Sequence, residues 1–542
     1  MRGLWIGSMS FLHTLLQFLK DAFYVIFVFL LCYAVYVVIA RTMFHVPKFE
    51  HKPKVNLTTK DSSLGDQINH LTQANEGMTG IKAIGRGIDA FTLRMKLIES
   101  AQSSIDAKYY LWNNDLTGLM LLSAIKDAAD RGVRVRLLLD DNAIEGLDPI
   151  IHQLNQHEMI DIRLYNPFVI RSYKIINFTF DFGRLNRRMH NKALIVDGVV
   201  GISGGRNIGN EYFGLDEKAD FVDLDVLTVG EVMPEMIDLF ELYFESELAV
   251  PADLMIQQDD HDQDQQPLQA ALQEHQDSKE IKAYTKATAE SQFDDHIDSG
   301  DLIDEWTDVT LVHDVPSKTL DQHDQSELMI THLVESLQES AKDVYVVSPY
   351  FIPGKYIDVF QDLSNKDISV NILTNSYQAT DSAAVHTAYI SCRLPLLKAG
   401  VGMFELKADQ QDQQDQTNLS GSSGSSGSSS ASDSSLHAKT FLLDKQTVFI
   451  GSFNFDPRSI RLNTEMGMLI SSQSLATEIH DFFRGSHRFG AYEVKLNQAG
   501  ELAWLENRKD NTNETFEHEP HTTLRERLMI RLVGYLPLDW ML

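Results

Sequence analysis

The sequence carries one spaced motif twice, and that repetition constrains the fold more than any other feature. RRMHNKALIVDGVVGISGGRN and LHAKTFLLDKQTVFIGSFN both satisfy H-x-K-x4-D-x6-G-[GS]-x-N. They set His190, Lys192, Asp197, Gly204, Gly205 and Asn207 against His437, Lys439, Asp444, Gly451, Ser452 and Asn454. A single match to the first part of the motif is a weak signal, whereas two with the same distal spacing are a strong one. The flanks repeat too: ESAQSSIDAKYYLW from Glu99 aligns with ESAKDVYVVSPYFIP from Glu339, and VRVRLLLD with ISVNILTN. An internal duplication of about 240 residues accounts for this. In the first copy FTLRMKLIESA reads as helix and SIDAKYYLW as strand, followed by an amphipathic stretch from Leu119 to Ala129 and the apolar run VRVRLLLD. This is the grammar of an α/β domain whose helices cover a sheet.

In NKALIVD and AKTFLLD apolar residues stand on both sides of the strand, as expected within a covered sheet. A histidine and a lysine two positions apart project from the same face. Asp197-Gly198 reads as a hairpin turn, and the glycines of the returning VVGISGG let backbone approach a ligand closely. Two such lobes would bring two imidazoles, two ammonium groups and two asparagines to one cleft. That set matches a phosphodiester: one imidazole attacks phosphorus, the other protonates the leaving alkoxide, and Lys192, Lys439, Asn207 and Asn454 stabilise the equatorial oxygens. No metal or other cofactor is required by this arrangement. The nucleophilic imidazole must be neutral while its partner is protonated, although both ordinarily titrate near about pH 6.5, so orienting carboxylates are needed. Glu465 in LNTEMGM and Asp223 in FVDLDVL are the candidates, with Asp225 as the alternative to Asp223. Ser452 and Gly205 complete the supporting set. Asp197 and Asp444 are counted with the catalytic residues, a turn-stabilising or salt-bridge role being the equal alternative.

Charge and hydropathy set the surroundings. Lysine and arginine number 47 against 77 aspartates and glutamates, a net charge of −30, with sixteen acids and three lysines between residues 251 and 310. This balance argues against a general nucleic-acid binder but leaves room for a local basic pocket for one phosphate. Cys32 and Cys392 are the only cysteines, which excludes a disulfide-stapled scaffold. Ala22 to Ala40 are nineteen uncharged residues, close in helical length to the roughly 30 Å core of a bilayer. The run is long for a signal peptide and no A-x-A site follows, so it reads as a retained anchor. Arg2 and Lys20 precede it, while Arg41, Lys48, Lys52, Lys54 and Lys60 follow, which places the bulk of the chain in the cytoplasm.

The resulting plan has an interfacial segment or simple helix extension at 1–21, a span at 22–40, a linker at 41–87 and a first lobe at 88–250. An acidic, solvated connector at 251–310 leads to a second lobe at 311–500. Within it, the Ser/Gly and Gln/Asp tract at 408–435 reads as a tolerated insertion or, less favoured, a mobile flap. The tail at 501–542 ends in TLRERLMIRLVGYLPLDWML, either a basic amphipathic helix on anionic lipid or a helix closing the second lobe's core.

The paired motifs with trailing GG-x-N and GS-x-N resemble the phospholipase D superfamily. RLNRRMHNK, VDGVVGISGGRNIGNEYFG, SLHAKTF and FIGSFNFDPRS resemble its bacterial cardiolipin synthase branch, particularly the type C subgroup, and the resemblance runs from about Ile88 to the C-terminus. It implies two duplicated α/β lobes, each a mixed β-sheet flanked by helices, with the active site at their interface. It also implies a phosphatidyl-histidine intermediate on His190, with His437 as general acid and later base. The implied reaction moves a phosphatidyl group from phosphatidylglycerol or phosphatidylethanolamine to the terminal hydroxyl of phosphatidylglycerol, at the bacterial inner membrane. Arg187 and Arg188, with Arg184 ahead of them, are then candidates for binding anionic headgroups, a solvated basic turn being the equal alternative. A hydrolase releasing phosphatidic acid is the nearest competing activity, since the same histidines serve when water takes the second step. The anchor and the acidity disfavour a nuclease, and two intact motifs disfavour an inactive scaffold.

Overall fold

The computed structural model describes residues 2–50, 62–215, 219–257, 266–275, 278, 281–282, 284–286, 302–380, 382–408, 433–507 and 512–533. The Ser/Gly tract, much of the acidic connector and the end of the C-terminal tail lie outside these residues. The chain forms two compact units: Met1–Glu50 with Pro167–Asn186, and His51–Asn166 with Arg187–Leu542.

The larger unit contains both copies of the duplication. Its first sheet has nine strands in the order Glu305–Thr307, Thr79–Ile84, Asp225–Gly230, Val200–Gly204, Ala193–Val196, Ser104–Leu111, Arg134–Ala143, Ile160–Tyr165 and Ala249–Pro251. The second has ten, and its first eight repeat the same path: Val309–His313, Met466–Ser471, Thr447–Gly451, Thr440–Leu443, Asp343–Val347, Ser369–Asn375, Gly402–Leu406 and Ala491–Leu496. Each sheet is mixed in the same place. Ser104–Leu111, Arg134–Ala143 and Ile160–Tyr165 run parallel, as do Asp343–Val347, Ser369–Asn375 and Gly402–Leu406. The connecting helices follow their sequence signals; Asp115, for example, caps Leu116–Asp130 by accepting a hydrogen bond from the Gly118 N–H at 3.1 Å.

The first sheet reaches further than the sequence plan. Thr79–Ile84, expected in the linker, pairs with Asp225–Gly230, and Glu305–Thr307, expected in the acidic connector, forms the sheet edge beyond it. The helix Pro267–Glu274 likewise buries Leu268 in the first lobe's core.

Both motif strands, ALIV and TFLL, are buried throughout. One core cluster joins Ile195, Val226 and Met236 of the first lobe to Leu442, Ile450 and Met468 of the second. At about 1.5–3 kcal/mol for each large apolar side chain taken from water, this shared core opposes separation of the lobes. The backbones join as well: Ala219–Val222 pairs in parallel with Asp433–Leu436 as a two-stranded sheet, and Met189 bridges Thr464.

The smaller unit consists of the helix Arg2–Met43 and the segment Pro167–Asn186, which contains the helix Lys174–Leu185. The N-terminal helix is continuous, so residues upstream of Ala22 extend it. Its stretch Leu16–Met43 is long and apolar enough to cross a membrane, and most of its large apolar side chains are exposed.

Candidate active site

The strands place the two histidines by a repeated device. Each histidine stands three residues before the start of its motif strand, and the residue before it pairs with the residue before a carboxylate on the other lobe. Met189 bridges Thr464, next to Glu465, and Leu436 pairs with Val222, next to Asp223. The histidine amides follow: His190 N–H donates to the Thr464 carbonyl, and His437 N–H to the Val222 carbonyl, both at 2.9 Å. The side chains therefore cross. His190 Nδ1 lies 2.8 Å from Glu465 Oε2, and His437 Nδ1 lies 2.5 Å from Asp223 Oδ2. With each Nδ1–H donated to a carboxylate, Nε2 of each ring carries the free lone pair.

The lysines are placed with equal regularity. Lys192 Nζ donates to the His190 carbonyl at 2.6 Å, and Lys439 Nζ to the His437 carbonyl. Asn207 and Asn454 are buried, and among the described residues neither Oδ1 has a hydrogen-bond partner. Asn207 Nδ2 donates to the Tyr212 hydroxyl at 3.0 Å. Rings close the sides: Tyr110 meets His190 edge-on at 4.9 Å, while Tyr212 and Phe221 flank His437 at 5.1 and 5.2 Å.

Burial sets the protonation states. Desolvation pushes His190 down to about 4, although Glu465 opposes it, and also lowers His437 against the pull of Asp223. Lys192 falls to about 7 for the same reason. Against the cost of their own burial, Glu465 and Asp223 are held below the usual carboxylate range, chiefly by the charge of the imidazole each one meets.

The two carboxylates are supported differently. Glu465 accepts from the Ser452 hydroxyl at 2.5 Å and the Ser459 hydroxyl at 2.8 Å, and its own N–H donates to Asp314 at 3.0 Å. Asp223 accepts from the Leu224 N–H at 2.8 Å, and a Cβ at Gly205 would lie 2.1 Å from its Oδ1. Gly205 is therefore the space that the shorter carboxylate occupies. Asp225, the alternative to Asp223, is engaged elsewhere, ion-paired with Arg94 at 2.8 Å and Arg206 at 3.4 Å.

Other expected site residues stand away from the histidines. Asp197 accepts from the N–H groups of Gln102, Ser103 and Ser104, and Asp444 from those of Ala341, Lys342 and Asp343. Both occupy hairpin turns with positive φ, 51° and 55°, five residues beyond the motif lysines, about 16 Å along an extended strand. The geometry matches the turn-stabilising alternative instead of the catalytic one. Arg188, expected at a lipid headgroup, is instead buried, with Nη2 2.6 Å and Nε 2.8 Å from Asp140 Oδ1. Arg187 reaches into the second lobe, donating to the Lys318 carbonyl at 3.1 Å and pairing with Asp321 at 3.1 Å.

Sequence reasoning missed the residues behind the motif. Asp140 Oδ2 accepts from the Met189 N–H at 2.9 Å, and Asn375 makes two 2.9 Å hydrogen bonds to the backbone of Leu436. The signal was present, because aligning VRVRLLLD with ISVNILTN puts Asp140 opposite Asn375.

A duplicated α/β chain whose halves cross-brace two H-x-K histidines has the architecture of the phospholipase D class. The family model described as "Cardiolipin synthase, PLD-like domain" matches residues 95–245 and 333–486, and the chain belongs to that family. It is 37% identical to cardiolipin synthase C of Escherichia coli (strain K12), over 88% of this chain and 99% of that protein. To cardiolipin synthase 1 of Staphylococcus epidermidis it is 26% identical, over 73% of this chain and 66% of that protein. The solved structure of phosphatidylserine synthase from Haemophilus influenzae Rd KW20 shares the fold, with a TM-score of 0.53 at 13% identity, over 88% of this chain and 99% of that one. The protein is thus an enzyme of the phospholipase D superfamily and a phospholipid phosphatidyltransferase.

Proposed function

We propose that the chain makes cardiolipin by two in-line displacements at one phosphorus atom. The observation that carries this reading is the crossed bracing, in which each imidazole is oriented by a carboxylate of the other lobe. Neutral His190 attacks the phosphorus of phosphatidylglycerol through Nε2, and its Nδ1–H stays on Glu465. The glycerol oxygen leaves with a proton from His437, whose imidazolium is stabilised by Asp223 and by the negative phosphate. The terminal hydroxyl of a second phosphatidylglycerol then gives its proton to His437 and attacks the phosphatidyl-His190. Cardiolipin departs and both histidines are restored. With phosphatidylethanolamine as donor, ethanolamine leaves instead. Lys192, Lys439, Asn207 and Asn454 act on the non-bridging oxygens, and an incoming phosphate favours the charged form of Lys192 that burial opposes.

The apolar stretch Leu16–Met43 fits a membrane span, and the positive charge after it supports a reading in which the lobes lie on the cytoplasmic side of the inner membrane. Purified protein in mixed micelles of phosphatidylglycerol should yield cardiolipin and glycerol in equal amounts. Phosphatidic acid as the sole product would overturn the transferase reading in favour of hydrolysis.

A further inference from the structure

The segment Pro167–Asn186 interrupts the first lobe's sequence just ahead of His190 and plays no part in the chemistry above. It is well organised internally. Asn177 accepts from the Ile170 N–H at 2.9 Å and donates to the carbonyls of Ile170 and Lys174 at 2.8 and 2.9 Å. Yet it leaves Tyr173, Ile175, Ile176 and Phe182 exposed, Ile175 at 77%. Four large apolar side chains turned outward from an ordered segment of this length call for a partner.

The segment's contacts with the N-terminal helix identify that partner. Tyr33 donates to the Thr179 carbonyl and Tyr36 meets the Thr179 hydroxyl, both at 2.7 Å. Arg41 donates to the Phe180 carbonyl at 2.7 Å, and Phe44 packs against Phe180 at 6.1 Å. Tyr36 and Tyr33 lie four and seven residues before Ala40, the end of the uncharged run. At about 1.5 Å per residue, Thr179 sits roughly 6–10 Å inside the end of that run. This is the depth of about 5–10 Å at which an interfacial helix buries its apolar face. The segment also carries Arg171, Lys174 and Arg184 against the single acid Asp181, in a chain whose net charge is −30.

We propose that Pro167–Asn186 is a second membrane-contacting element, seated in the headgroup and upper acyl region of an anionic phospholipid bilayer beside the span. The inference rests on the reading of Leu16–Met43 as a span and adds to it a second point of contact in the chain, which ends four residues before His190.

The test uses the full-length chain carrying Cys32→Ser and Cys392→Ala, reconstituted in phosphatidylethanolamine–phosphatidylglycerol vesicles. An environment-sensitive fluorophore is attached in turn at Tyr173→Cys, Ile175→Cys, Leu30→Cys and Glu145→Cys. The proposal expects labels at 173 and 175 to be quenched by a lipid spin label near the headgroup. Aqueous iodide should quench them about threefold less than the label at the exposed Glu145 position. The label at Leu30 should be quenched by a spin label near the acyl-chain ends. If Leu30 is lipid-exposed but 173 and 175 match the position-145 control, the second contact is refuted while the span stands. If Leu30 also matches the control, the span reading fails and the inference with it.

Discussion

His190 and His437 occupy equivalent places in the duplication, but their surroundings have diverged. His190 meets a glutamate held by two serine hydroxyls, and the amide before it is latched by Asp140, whose charge is buried against Arg188. His437 meets an aspartate beside a glycine, and the residue before it is latched by the neutral amide of Asn375. The duplication preserved the geometry of each latch and changed its chemistry. The half built from ionic and hydroxyl contacts is the one that orients the proposed nucleophile, whereas the half around His437 relies on backbone and amide contacts for a ring that must exchange protons.

Substituting the carboxylates should break the comparison most severely. Glu465→Gln removes the charge that orients His190, and by analogy with a catalytic triad kcat should fall about 10³–10⁴-fold. Asp223→Asn should do the same through His437. Steady-state cardiolipin synthesis measures both. The wild-type acid limb of kcat/KM should lie near pH 4, not at the ordinary 6.5, because His190 must be neutral to attack and burial has already lowered it. Since Glu465 raises the pKa of His190, any residual activity of Glu465→Gln should have its acid limb at still lower pH.

Exchanging the small hairpin residues sharpens the contrast. Gly205→Ser drives a side chain into Asp223, and a displacement of about 1 Å at His437 should cost about 10²-fold in kcat. The opposite exchange, Ser452→Gly, removes only one donor to Glu465 and should cost roughly tenfold, the scale of about 1.4 kcal/mol for one hydrogen bond. Equal losses from the two exchanges would contradict the difference drawn between the carboxylates.

The latches are tested by stability. Asp140→Asn leaves Arg188 buried without its counter-charge and should destabilise the fold by about 3–5 kcal/mol in chemical denaturation. Adding Arg188→Met should recover much of that loss, because the neutral latch then resembles Asn375. Asp444→Asn has the smallest expected effect, about 1–2 kcal/mol of stability with kcat unchanged, since its carboxylate serves three backbone N–H groups.

Local patterns in the sequence carried much of this site. The buried motif strands, the hairpin at Asp197-Gly198 and the choice of Glu465 and Asp223 all follow from periodicity and spacing. The crossing of the carboxylates did not, because it depends on how the lobes dock, and spacing within one lobe says nothing about that. Arg187 and Arg188 looked like a basic patch because their acidic partners, Asp321 and Asp140, are distant in sequence. Thr79–Ile84 and Glu305–Thr307 escaped notice because such short strands become strands only through the neighbours they pair with.

The most direct test of the shared site is to trap the intermediate. Wild-type protein, mixed with phosphatidylglycerol radiolabelled in its phosphate, denatured within a turnover at neutral pH and digested, should carry label on the peptide containing His190. His190→Asn protein should carry none. Label on His437 in the wild-type or the His190→Asn protein, or on neither histidine in the wild type, would contradict two imidazoles acting on one phosphorus with His190 as nucleophile.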